Sequence, residues 1–124
     1  MSIHCICRVW DHSSQKGRAL LLLLAIADGA DEYGLACPGL ATLAARIRMS
    51  RDQTLRLLAR LQDAGELLVL PCPGGDHLYL VRSGAGRQTL AAGLDRAASF
   101  GAILPAGAVE RVPAITAIRP GPAT

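Results

Sequence analysis

Apolar residues recur along this chain at more than one spacing, and each spacing predicts a different element. From Ile3 to Trp10, IHCICRVW, Ile3, Cys5, Cys7 and Val9 alternate with His4, Ile6, Arg8 and Trp10. With β-branched and aromatic residues present, the alternation predicts a short strand. The stretch DHSSQKGRALLLLLAIAD follows, with near-continuous leucines that would face a core on most sides and Ser13 or Ser14 placed to cap a first helix. GADEYGLACPG breaks that pattern through Gly29, Gly34 and Pro38, the proline suiting the start of the next helix. Leu40, Leu43, Ala44 and Ile47 then return at helical spacing, predicting a short second helix that stops near Arg48.

After RMS a third helix begins. Ser50 and Gln53 stand as S-x-x-Q, a capping box in which the hydroxyl takes the Gln53 N–H and the amide reaches back to the Ser50 N–H. On the helical wheel Leu55, Leu58 and Leu61, with Gln62 and Thr54 beside them, occupy one arc; Asp52, Gln53, Arg56, Arg60 and Asp63 fall opposite. Thr54 and Leu57 border the two faces, Leu57 being either core or a contact for a thymine methyl. Gly65 supplies a left-handed stop. ELLVLPCPGGDHLYLVR then reads as a β-hairpin: Leu67 to Leu70, a turn around Pro73-Gly74-Gly75, and His77 to Arg82. From Ser83 onward Gly, Ala and Pro dominate. One helix is expected there, from Gln88 to Ser99, its stripe of Leu90, Leu94 and Ala97 or Ala98 suited to packing on the domain or on a second copy. The expected division is a domain over 1–82 and an extension over 83–124 that ends in a Pro- and Gly-rich tail.

The charge of this chain matters for its location more than its size. A net charge of +3 fits nucleic-acid binding but is shared by many enzymes and scaffolds. Of 13 basic residues 12 are arginine, and Arg46, Arg48, Arg51, Arg56 and Arg60 fall in one short interval with Asp52 as its only acid. The longest apolar run, Ala19 to Ala27, is well short of the ~20 residues a membrane span needs. No membrane partner is expected. Cys5, Cys7, Cys37 and Cys72 lack C-x-x-C spacing, and the chain opens without a leader pattern, so a reduced cytoplasm is the expected compartment.

The stretch CPGLATLAARIRMSRDQTLRLLARLQDAGELLVL carries a family resemblance. Pro38, Leu43, Ala44, Ser50, Thr54, Leu55, Arg56, Leu58, Leu61 and Gly65 fall as in a helix-turn-helix followed by a hydrophobic strand. With VW near the start and LLLLAIADGADEYGLACPG before the motif, the region from Val9 to Arg82 resembles the winged-helix domains of phage and plasmid replication-initiation proteins and small transcriptional regulators. The resemblance implies a mainly α fold with a small antiparallel β-sheet: a winged helix-turn-helix of three core helices and a hairpin wing. It also implies double-stranded DNA as partner, read by a helix in the major groove. The wing departs from many relatives, since PCPGGDH holds neither Arg nor Lys.

The candidate DNA-binding residues are Arg46, Arg48, Ser50, Arg51, Gln53, Thr54, Arg56 and Arg60. Gln53 and Arg56 are the expected base readers, Arg to guanine and Gln to adenine. Arg46, Arg48, Arg51 and Arg60 are expected on phosphates, helped by the dipole and free N–H groups at the start of the third helix. Neither cofactor nor metal is expected. A zinc site from the four cysteines with His4, His12 and His77, conceivable if the first strand met the hairpin, lacks ligand spacing, and structural thiols are the default. No nucleophile or phosphate-loop signature supports an enzyme. A single winged helix reads a short site, so a homodimer or a larger assembly is expected. The alternative is a protein-docking winged helix, drawing on the uncharged wing, the mean hydropathy of +0.31 and the apolar C-terminal segment.

Overall fold

The computed structural model of the protein describes residues 3–72 and 77–102. Among them run α1 (Ile3–His12), α2 (Gly17–Asp28), β1 (Leu35–Ala36), α3 (Leu40–Ile47), α4 (Arg51–Asp63), β2 (Leu67–Pro71), β3 (His77–Val81) and α5 (Arg87–Ser99). The strands form one antiparallel sheet in the order β1-β3-β2. Helices α2, α3 and α4 with this sheet make a winged helix-turn-helix. None of the described helices is long and apolar enough to cross a membrane.

The leucine run folds as α2 because its buried members, Ala19, Leu22, Leu23, Ile26 and Ala27, repeat at helical spacing. They meet Leu43 and Ile47 of α3 and Leu58 and Leu61 of α4 in one core. Glycine closes α4: Gly65 takes φ 77°, while its N–H donates to the Gln62 carbonyl and the Glu66 N–H to that of Leu61.

The sheet is buried on both faces. Its register sets Leu67 opposite Val81 and Val69 opposite Tyr79, and these residues join the core of the three helices. The intervening pairs, Leu68 with Leu80 and Leu70 with Leu78, turn to a second core shared with Leu90, Leu94 and Ala97 of α5. That explains why LLVL and LYLV are continuously apolar rather than alternating. Helix α5 comes close through Gly93: a Cβ there would lie 2.8 Å from Leu80 Cδ1 and 3.3 Å from the Tyr33 carbonyl oxygen. Its end is held by Arg96, whose Nε donates to Asp31 at 2.7 Å and whose guanidinium lies over the rings of Tyr33 and Phe100. The second core thus packs the stripe of Leu90, Leu94 and Ala97 against the sheet.

Three expectations need correction. The stretch Ile3–Trp10 is helix, not strand: Cys5 and Val9, four residues apart, bury against α2, whereas Ile3, Cys7 and Trp10 stay exposed. Neither Ser13 nor Ser14 caps α2, whose N-cap is Lys16 with no side-chain hydrogen bond. Pro38 stands just ahead of α3, whose N-cap is Gly39. The turn at Pro73-Gly74-Gly75 and the tail from 103 lie outside the described residues.

The serines serve a junction instead. Glu66, buried at the entry to β2, accepts hydrogen bonds from the Ser14 N–H (3.1 Å), the Ser14 hydroxyl (2.8 Å), Gln15 Nε2 (3.3 Å) and the Ser83 hydroxyl (2.9 Å). One carboxylate thereby ties the α1–α2 connection to both ends of the hairpin. Burial pushes its pKa up, but hydrogen bonds from Ser13, Ser14, Ser83 and Gln15 pull harder, leaving it below the ordinary 4.5. A lowered folded pKa means stabilisation that is complete above pH 4.5 and is lost as pH falls through the folded value. Thermal melts of wild type and Glu66→Gln should therefore differ at neutral pH, the variant about 1–3 kcal/mol weaker. The gap should narrow on acidification; a constant gap from pH 7 to pH 3 would refute the assignment.

Candidate nucleic-acid interface

The turn between α3 and α4 is closed by an arginine in an unusual backbone state. Arg48 caps α3 at φ 60°, ψ 43°, the left-handed region that L-residues enter at a cost of about 1–2 kcal/mol. The N–H groups of Arg48 and Met49 donate back to the carbonyls of Ala45 and Ala44, so the turn stays hydrogen-bonded despite this conformation. Ser50 then caps α4. Its hydroxyl accepts from the Gln53 N–H and its own N–H donates to Gln53 Oε1, both at 3.2 Å. The reciprocal box is present as expected.

Helix α4 rests on the core through Thr54, Leu58 and Leu61, with Leu57 packed partly against the same cluster. Leu57 is therefore a packing residue. Thr54 also leaves the set of DNA contacts: it is 0% exposed, and its hydroxyl donates to the Ser50 carbonyl at 2.8 Å. What it does is steady the first turn of the helix. Leu55, expected in the buried arc, is 46% exposed. The reason is angular: with the core centred on Thr54, Leu58 and Leu61, position 55 falls at the edge of the buried sector, one turn from Arg51 and Ala59.

The cations fall into two groups. Arg46 donates to Asp28 at 3.2 Å, an exposed pair of small energetic weight that holds the side chain against the end of α2. Arg48, Arg51, Arg56 and Arg60 are exposed and, among the described residues, form no ion pair. Asp52 lies in the first turn of α4, where a negative charge complements the helix dipole. Gln53 is partly committed. With its carbonyl oxygen held in the capping box, only its NH₂ remains for a base, and a two-point contact with adenine would break the box.

Beside this face a cleft of about 480 Å³ opens between α4 and the sheet. Arg51, Leu55, Ala59 and Gln62 form one wall, and Cys37, Pro38, Val69, His77 and Tyr79 lie across from them. No sequence reading anticipated it, because β1, which brings Cys37 there, exists only through its pairing with β3. Cys5, Cys7, Cys37 and Cys72 form no disulfide among the described residues, which hold no cluster of three or more His, Cys, Asp or Glu able to ligate a metal. The premise of the zinc alternative, a first strand alongside the hairpin, does not hold.

Residues 16–66 match the family model of a helix-turn-helix domain. The match runs from the N-cap of α2 to the entry of β2 and includes every arginine of the patch. Searches of curated proteins and of solved structures found no match. Over that span the chain is similar to helix-turn-helix domains, a likeness that suggests DNA binding.

Proposed function

We propose that this helix-turn-helix chain binds double-stranded DNA sequence-specifically, with α4 in the major groove, as a small transcriptional regulator or a replication-type accessory protein of a mobile element. The observation that carries the reading is the state of α4. Buried leucines fix the helix while Arg51, Arg56 and Arg60 stand exposed without acidic partners among the described residues. Arg56 is assigned to a base edge; Arg48, Arg51 and Arg60, with Arg46 once it leaves Asp28, are assigned to phosphates. Ser50 contributes through the box that fixes the helix start, Gln53 through its remaining NH₂.

The test is selection of bound duplexes from a random pool, followed by affinity measurements on the selected site. Arg56→Ala should cost about 1–3 kcal/mol there and relax the preference at one position, whereas Arg60→Ala should weaken all sequences alike. Equal losses on selected and scrambled duplexes for both variants would reject base reading by Arg56.

One observation favours a second reading, docking of a protein partner or of another copy: α1 leaves Ile3 72% and Trp10 62% exposed. A complex that survives substitution of Arg51, Arg56 and Arg60 but fails with Trp10→Ala would support it.

A further inference from the structure

We infer that Leu55 is the apolar reader of the recognition helix, contacting the 5-methyl group of a thymine in the major groove; the inference rests on the DNA-binding reading above. Leucines exposed singly on a helix are ordinary and call for no explanation by themselves. This one is singled out by its neighbours. Arg51 lies one turn before it and Arg56 directly after, and both are exposed. On the helical wheel Leu55 lies between them, about 40° from Arg51 and about 100° from Arg56, so a duplex gripped by both guanidinium groups spans the sector into which it projects.

An apolar side chain taken into the major groove meets few groups it can satisfy. Guanine offers two acceptors, adenine a donor and an acceptor, cytosine an amine; only thymine presents a methyl group. Against cytosine at the same place, leucine would cover the N4 amine without accepting its hydrogen bond, so the contact separates the two pyrimidines. Ala59, one turn further along the same wall of the cleft, is small and exposed, leaving room for the base edge beside Leu55. Charge complementarity supplies the approach: Arg48, Arg51, Arg56 and Arg60 all attract the backbone of a duplex, and the free NH₂ of Gln53 adds a donor to this face.

The experiment replaces each thymine of the selected site in turn by uracil, which removes the 5-methyl group alone, and compares wild type with Leu55→Ala and Leu55→Met. In wild type, one or two positions should lose about fourfold in affinity, the worth of one methyl taken from water. Leu55→Ala should be insensitive to those replacements, and Leu55→Met should keep most of the sensitivity. Since the side chain is exposed, all three proteins should melt together. Uracil effects that are the same with leucine or alanine at position 55 would overturn the contact while leaving DNA binding intact. Failure of wild type to retain any duplex would overturn the DNA-binding reading and this inference with it.

Discussion

Raising salt from about 50 to about 200 mM should weaken duplex binding by about fortyfold to a hundred and fiftyfold. The figure follows from the number of cations that α4 and its turn present. Arg46, Arg48, Arg51 and Arg60 make four phosphate contacts at most, three if Arg46 stays with Asp28, and each phosphate neutralised contributes about −0.9 to the slope of log affinity against log salt, hence about −3 to −4 in total. The net charge of +3 is too small to steer a duplex from afar, so nearly all of the effect must come from this cluster. Arg46 should be the variable member, because Asp28 competes with phosphate for its guanidinium. Anisotropy titrations at four salt concentrations give the slope directly. A value near −3 for wild type that Arg46→Ala does not change would mean Arg46 stays with Asp28, and a slope near zero would remove the electrostatic basis of DNA binding altogether.

The second large effect concerns stability. Leu90→Ala should destabilise the fold by about 2–5 kcal/mol and lower the melting temperature by roughly 10–30 °C. Leu90 is fully buried and shares the second core with Leu70, Leu78, Leu80 and Leu94. Removing it opens a cavity against the face of β3 opposite the helical core, where the rigid sheet can collapse little. The exposed neighbour Gln88→Ala serves as control and should melt like wild type. An unchanged melt for Leu90→Ala would mean that residues 83–102 add little to the stability of the fold.

Parts of this architecture were legible because the chemistry that forms them is local. The Ser50–Gln53 box, the leucine repeat and Gly65 lie within one helix, and α4 forms where they place it. The paired strands β2 and β3 were legible through their apolar runs. The first element was not. In eight residues a period of two and a period near four both bury Cys5 and Val9, and contact with α2 decides between them. The two-residue β1 has no signature of its own, since its partner lies more than forty positions away. Within the interface, residue types were easier to anticipate than their commitments. Thr54 is absorbed by the Ser50 carbonyl and half of Gln53 by the box, while Leu55 is released to solvent by an angular offset that a wheel centred on the leucines alone conceals.

Arg48 has a consequence of a different kind. Glycine would hold the shape at residue 48 with no steric penalty from a Cβ, so the chain carries a built-in weakness at the corner where its two motif helices meet. A cation is thereby mounted on the tightest bend of the motif, with little slack in the main chain beneath it. Its guanidinium leaves the chain between the two motif helices, where the N–H groups of Arg48 and Met49 are already hydrogen-bonded to α3.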